Sequence, residues 1–351
     1  MKKIAMLVSG GVDSSVALHL LKKQGYDIEA FYLKIWLEDE MSFLGECPWE
    51  EDLSYVEKVC KQCDVPLKVV SMQKEYHERV VKYTIETVKM GLTPNPDMLC
   101  NREVKFGAFL EKYGGNFDKV ATGHYAQIEE LENGGVKLKR APDPVKDQTY
   151  FLAMMKKEQL QKAMFPIGHM QKKDVRKYAL DNNLATAMRK DSQGICFLGK
   201  ISFSDFVKQH LGTKKGKFIE KETGKELGEH DGFYFYTIGQ RRGVNINGGP
   251  WYVCGKDAQK NVVYLSHGFA ANDYSRDRFE VGNLNWIDKA PQKSDLKVKL
   301  RHGENFHECT IQIGENGDVS VFLKQKDRGV TPGQFAVFYD GEYCLGGGVI
   351  L

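Results

Sequence analysis

Lys3-Ile4-Ala5-Met6-Leu7-Val8-Ser9-Gly10-Gly11-Val12-Asp13-Ser14-Ser15 is the stretch on which the fold turns. Residues 3–8 are an apolar run of strand length. Past the glycine pair, Val16, Ala17, Leu20 and Leu21 share one face of a helix predicted over residues 14–24. A strand, a glycine turn and a helix in that order place a helix N-terminus at the end of a sheet, where open α/β folds bind phosphate. Gly10 and Gly11 permit positive φ and a close backbone approach. Ser9, Ser14 and Ser15 supply hydroxyl donors. Asp13 cannot attract phosphate by its own charge, so its expected place is beside a Mg²⁺ that bridges to phosphate.

Working outward, strand-like runs at 28–37, 66–70 and 119–122 alternate with helical patterns at 53–63, 76–90 and 101–113. That alternation predicts an α/β domain, a parallel sheet with helices on both faces. Residues 127–130 and 136–140 flank Asn133-Gly134-Gly135, a hairpin signal. Helical patterns return at 157–163 and 172–182. From Gly216 onward short strands dominate. Those at 296–301, 309–313, 319–323 and 335–339 predict a small C-terminal β-barrel.

A chain of 351 residues suits two or three domains. The expected division is 1–205 for the α/β domain, 206–275 for a central domain and 276–351 for the barrel. With 50 basic and 47 acidic residues the net charge is only +3, so any nucleic-acid surface must be a local basic patch. No run approaches the roughly 20 apolar residues of a membrane span. The first apolar run leads into the glycine loop and does not read as a signal peptide. The expectation is a soluble, cytoplasmic monomer without a membrane partner.

The loop is neither GxxxxGK[ST] nor GxGxxG. It resembles the pyrophosphatase loop of enzymes that cleave ATP to AMP and pyrophosphate. Leu33, at the end of the second strand, can line an adenine pocket or belong to the core. Gly123, closing the next strand before His124, would let ATP approach the backbone.

Two cysteines stand in loaded contexts. Cys100 follows Thr93-Pro94-Asn95-Pro96-Asp97-Met98-Leu99. Prolines stiffen the approach, and a thiol at a predicted helix start is expected to have a lowered pKa. Asp97 is placed to orient a substrate or act on a proton. Cys196 follows Asp191-Ser192-Gln193-Gly194-Ile195. Cys60 and Cys63 lie within a predicted helix and have no second pair at zinc spacing, so they read as structural. Cys254, Cys309 and Cys344 read as core.

Seven motifs carry a resemblance that spans nearly the whole chain. They are SGGVDSS at 9–15, TPNPDMLCN at 93–101, ATGHYA at 121–126, KDQTYFL at 146–152, DSQGICF at 191–197, FYTIGQRRG at 235–243 and TPGQFAVFY at 331–339. In order and spacing they resemble the tRNA-uridine 2-sulfurtransferases, or 2-thiouridylases. That family joins an ATP-pyrophosphatase domain to a small central domain and a C-terminal β-barrel. The segment 36–49 departs from the common bacterial form, being less acidic and polar, and leaves compartment and sulfur donor open.

The resemblance implies roles. Leu7, Val8, Ser9, Gly10, Gly11, Val12, Asp13, Ser14, Leu33 and Gly123 would bind ATP. Asn95, Pro96 and Asp97 would contact the target base. His124, Lys146, Asp147, Gln148, Arg301, His302 and Gln334 would contact tRNA. Cys100 would be the nucleophile and Cys196 the persulfide carrier, fed by a sulfur-carrier protein or a cysteine desulfurase relay and paired with Cys100 in a transient disulfide. Arg241 and Arg242, between glycines in an expected β context, are further candidates to neutralise tRNA phosphates. An alternative stays open, in which Asp97, Cys100 and Cys196 hold an iron–sulfur cluster that carries the sulfur. Adenylation of a different substrate, or tRNA binding without catalysis, are the other readings. The paired cysteines speak against the first and the intact loop against the second.

Overall fold

The computed structural model describes residues 2–35, 48–190, 202–267, 275–315 and 317–351. The first strands are β1 (Lys3–Leu7), β2 (Asp27–Lys34), β3 (Leu67–Ser71) and β4 (Lys119–Ala121). A hairpin of β5 (Ala126–Glu130) and β6 (Val136–Arg140) follows, then β7 (Ala163–Met164). Five of these form a parallel sheet in the order β3-β2-β1-β4-β7.

Alternate residues of the central strands enter different cores, as a sheet buried on both faces requires. Ala5, Leu7, Phe31 and Val120 face one cluster, and Ile4, Met6, Ala30 and Ala121 the other. The second cluster is covered by α1 (Val12–Lys23) and the helices Pro48–Cys63 and Lys172–Asp181. The first is covered by two longer helical runs, over residues 73–89 and 96–113. Each contains a π-helical stretch, His77–Val81 in one and Cys100–Ala108 in the other. Periodicity alone predicted ordinary helices there, because a π insertion changes hydrogen-bond register without changing the apolar pattern strongly.

The central unit is a four-stranded sheet of β8 (Gly216–Glu220), β9 (Glu226–His230), β10 (Trp251–Asp257) and β11 (Val262–His267). Phe218, Phe233, Trp251, Val253, Val263 and Leu265 form its core. The helix Phe203–Leu211 runs across the expected boundary at 205–206, and its Phe206 and Val207 are buried in the α/β domain's core.

The C-terminal strands are β12 (Arg276–Trp286), β13 (Asp295–Lys299), β14 (His307–Ile313), β15 (Val319–Asp327), β16 (Phe335–Asp340) and β17 (Tyr343–Ile350). They pair in the order β12-β15-β14-β13-β16-β17, and β12 pairs with β17 to close the barrel. Closure demands glycine in β17. A Cβ at Gly346 would lie 2.0 Å from the Asn285 carbonyl oxygen, and one at Gly347 2.6 Å from that of Ala336.

The hairpin forms as expected, Glu130 pairing with Val136. Its destination was not legible in sequence: β6 pairs with β17, so a piece of the α/β domain extends the barrel's sheet. Beside this seam lies a buried ion pair. Lys299 of β13 and Asp147 both have side chains 0% exposed, with Nζ 3.2 Å from Oδ2. Asp147 also accepts from Arg140 Nε at 3.2 Å and Thr149 Oγ1 at 2.9 Å.

Removing one partner of a buried pair leaves an uncompensated charge. Lys299→Ala is therefore expected to destabilise the protein by about 3–5 kcal/mol. Urea denaturation followed by circular dichroism checks this; an unchanged midpoint would contradict a structural role for the pair.

Candidate active site

At the end of β1 the chain turns through Ser9 and Gly10, the latter at φ +75°. Gly11 is the N-cap of α1 and supplies no capping side chain, so the first-turn N–H groups have no side-chain cap, the arrangement with which helix N-termini bind anions. The serines shape the loop: Ser14 Oγ accepts from the Ser9 N–H at 3.2 Å and donates to the Gly11 carbonyl at 3.1 Å, and Ser15 Oγ donates to the same carbonyl at 2.9 Å. Leu7, Val8, Gly10, Val12 and Ser14 are buried, while Ser9 is exposed and Gly11 and Asp13 half-buried. This is the exposure pattern of a cradle.

The sheet order explains the cradle's position. After β1 the chain builds β2 and β3 on one side, then returns to place β4 on the other, so β1 and β4 flank a topological switch point. Gly123, just past β4, packs on the loop: a Cβ there would lie 2.6 Å from the Ser14 nitrogen. Glycine at 123 thus serves the approach of α1 itself. Leu33, at the end of the neighbouring β2, is half-buried against the core.

His124 continues from Gly123, its Nδ1 2.5 Å from Thr122 Oγ1. Burial, reinforced by the Lys105 charge, takes its pKa well below the ordinary histidine value, so the ring is neutral at physiological pH. Lys105 also acts on Cys100. In a π register i and i+5 stack on one face, which brings Lys105 one turn from the cysteine. Its ammonium donates to Asn101 Oδ1 at 3.1 Å.

The loop leading to Cys100 is fixed from both ends. Asn95 caps the short helix Pro96–Leu99, accepting from the Met98 N–H at 3.2 Å, with Pro96 in its first turn. Gln334 of the barrel donates from Nε2 to the Pro94 carbonyl at 2.9 Å. Asp97 is half-buried among buried neighbours. Cys100 departs from expectation. The helical run begins before it, and the thiol is 1% exposed. Burial pushes its pKa up to about 11, with Asp97 adding to the rise and Lys105 opposing it. The expected lowering from a helix N-terminus is overruled by desolvation.

The other expected contacts separate. Arg301 and His302 are exposed on the barrel, with His302 stacked on Phe151 at 4.7 Å. Lys146 is half-buried. Asp147 does not offer its carboxylate to solvent, because it is committed to the buried seam. Gln148 is likewise engaged, its Oε1 accepting from the Tyr125 N–H at 3.0 Å. Arg241 and Arg242 are exposed, Arg242 in a turn and neither in a strand. Cys196, with its segment, lies outside the described residues, as does Cys47. Cys60 and Cys63 are buried free thiols within a helix, as expected of structural residues.

Two cations that sequence reasoning missed flank the phosphate loop. Lys172 Nζ lies 2.7 Å from Asp13 Oδ1 and 2.9 Å from Oδ2. Arg189 donates to the Gly10 carbonyl at 2.8 Å and pairs with Asp52. Neither stands in a motif, so no local signal marked them. Among the described residues no group of three or more His, Cys, Asp or Glu is arranged to hold a metal ion. No described helix is long and apolar enough to cross a membrane.

A glycine turn between strand and helix at a parallel-sheet switch point, in a domain whose 93–101 segment is braced by a β-barrel, is the architecture of a multidomain protein of the HUP class. Residues 2–200 match the family described as tRNA methyl transferase HUP domain, 204–267 its PRC-barrel domain and 276–350 the aminomethyltransferase β-barrel domain. The chain is 46% identical to the tRNA-specific 2-thiouridylase MnmA of Parabacteroides distasonis, covering 99% of each chain. It is 45% identical to that of Porphyromonas gingivalis, covering 99% of this chain and 98% of the relative. It is also 45% identical to MnmA 1 of Bacteroides thetaiotaomicron, covering 99% of each. The chain belongs to the tRNA-specific 2-thiouridylase family.

A thiol raised to about 11 is protonated at neutral pH and gains thiolate only as pH climbs toward that value. Cys100 of the free protein is therefore expected to resist iodoacetamide at pH 7.5 and to react faster with each step toward pH 10. Peptide mass spectrometry, with Cys100→Ser as control, checks this; rapid alkylation at pH 7 would contradict it.

Proposed function

We propose that this chain converts the wobble uridine of tRNA to 2-thiouridine by adenylating the base and then transferring sulfur from a cysteine persulfide. The observation that supports this most is the continuity of the site. Gly123 packs on the phosphate loop, His124 follows it, and Lys105 acts on both His124 and Cys100, beside the 95–97 loop. That chain of neighbours supports a reading in which a base activated by ATP meets a thiol.

ATP rests its phosphates on residues 9–14, and Leu33 lines the adenine side. The target uridine leaves its stack to enter the pocket, as bases acted on by enzymes do. Asn95 and Pro96 frame it, and Asp97 takes the N3 proton as O2 attacks the α-phosphorus. The bond to pyrophosphate breaks, and its electron pair leaves with pyrophosphate. Adenylation makes O2 a good leaving group. The terminal sulfur on Cys196 attacks C2, and AMP departs with the oxygen. The Cys100 sulfur then attacks the Cys196 sulfur as its proton passes to N3 of the departing base, leaving a disulfide and a thiocarbonyl base. An external thiol reductant restores both cysteines. Lys105 is the cation that favours the Cys100 thiolate.

A Mg²⁺ travelling with ATP needs few protein ligands, because it keeps water and phosphate oxygens. Asp13 is the carboxylate of the loop and fits that demand, and the ion would neutralise phosphate charge. We assign tRNA phosphate contacts to Arg301, Lys146, Arg241 and Arg242, and a stacking or backbone contact to His302. His124 contributes as a neutral hydrogen-bonding ring. The persulfide comes from a sulfur-carrier partner, and the protein works in the cytoplasm as a monomer.

Incubation of an unmodified wobble-uridine transcript with the protein, Mg-ATP and a cysteine desulfurase with its cysteine substrate, which delivers sulfur at the persulfide level, is expected to yield 2-thiouridine by nucleoside mass spectrometry. Asp97→Asn is expected to slow formation by about 10²–10⁴-fold, the range for loss of a proton-transferring group. Cys196→Ser should abolish thiolation while retaining ATP binding; full activity in that variant would sink the persulfide role. Replacing Arg241 and Arg242 with alanine is expected to weaken tRNA binding and flatten its salt dependence by about one unit of log–log slope per lost phosphate contact. An unchanged slope would remove them from the interface.

A further inference from the structure

Lys172 is the first residue of the helix Lys172–Asp181 and lies far along the chain from the phosphate loop. Its backbone is anchored, the N–H donating to Asp143 Oδ2 at 3.0 Å. The helix is held against α1 by the His19–Tyr178 contact at 3.0 Å and by Lys23 donating to Asn182 at 2.8 Å. From this fixed base the Lys172 side chain, 13% exposed, reaches both oxygens of Asp13. The Tyr125 hydroxyl completes the arrangement, donating to Asp13 Oδ1 at 2.8 Å.

The pairing has a chemical consequence. Asp13 lies in the first turn of α1, where an arriving polyphosphate would meet a carboxylate of its own sign. Lys172 neutralises that carboxylate. A triphosphate presents several oxygens of higher charge density within the same small volume, and an ammonium on a four-carbon stem can exchange acceptors without moving its backbone. Arg189, the other flanking cation, is bound to the Gly10 carbonyl and Asp52, and so is spent on holding the loop.

We propose that Lys172 is a nucleotide-binding residue, which leaves Asp13 on ATP binding and grips the pyrophosphate portion of ATP. This rests on the reading that ATP occupies the loop. When the bond between the α-phosphorus and the bridging oxygen breaks, the electron pair and charge pass to pyrophosphate, and the ammonium stabilises them. Asp13 is released by the same exchange.

Calorimetry with inorganic pyrophosphate, ATP and AMP, in magnesium-free buffer and on the full chain, tests the exchange. Lys172→Met is expected to weaken pyrophosphate and ATP binding by roughly tenfold to a hundredfold while AMP affinity stays within about twofold, the scale of one lost charge-assisted contact. Lys172→Arg should retain most of the pyrophosphate affinity. Asp13→Asn keeps the lysine and frees it from its carboxylate, so it is expected to bind pyrophosphate at least as tightly as the unaltered protein. Lys172→Gln gives the same reading should Lys172→Met fail to fold. Unchanged pyrophosphate affinity in folded Lys172→Met would overturn the assignment. So would a double variant, Asp13→Asn with Lys172→Met, that binds pyrophosphate as the unaltered protein does, because the lysine would then only neutralise Asp13. Failure of the unaltered protein to bind ATP would instead overturn the nucleotide reading on which the proposal stands.

Discussion

Asp147 is an anion withdrawn from water, and the groups that stabilise it come from both sides of a domain seam. Lys299 reaches it from the barrel, while Arg140 and Thr149 reach it from the α/β domain. A buried charge pair contributes little net stability, but breaking it by half is costly, so the geometry it fixes is strongly specified. The aromatic rings around it add to this, Lys299 lying 4.5 Å from the centre of Phe306. The consequence reaches the catalytic loop. With the barrel locked in place, Gln334 bonds the Pro94 carbonyl and the loop before Cys100 is braced by a domain far away in sequence. The placing of the loop before Cys100 is thus coupled to a buried ion pair in the domain seam.

The buried state of Cys100 fits the order of chemistry. A thiolate exposed before substrate arrives would be open to oxidation and to reaction with any disulfide. Desolvation keeps the thiol protonated, and the π register of residues 100–108 holds Lys105 beside it as the one opposing influence on its pKa. Burial keeps His124 neutral, and the same lysine adds to that effect. A single ammonium thus biases two neighbouring groups in ways that suit them, the cysteine toward its anion and the histidine toward its uncharged ring.

At the loop after β1 the division of labour is between backbone and cations. The loop's N–H groups and its glycine-permitted turn provide shape. Gly123 lets β4 and α1 meet, which ties the cradle to the strand that leads to His124. Lys172 and Arg189 enter from the far end of the same domain, so folding of the whole domain is required before the cradle has its counterions.

Sequence by itself determined the local frame and the chemistry available to it. The run at 3–15 fixed a strand, a phosphate loop and a helix, because apolar spacing and glycine placement act over a few residues. The hairpin at 127–140 and the short C-terminal strands were legible for the same reason, and the 93–101 motif marked its cysteine without any structure. Tertiary structure alone decided the environments. It buried Cys100 and so reversed its expected pKa, turned Asp147 inward, kept Arg241 and Arg242 out of any strand, and joined β6 to the barrel. It also delivered Lys172 to Asp13 across 159 residues and Arg189 to Gly10 across 179. The physical reason is one of range. Dihedral preference and periodicity are properties of neighbours along the chain, whereas solvation and charge pairing depend on which surfaces meet in space.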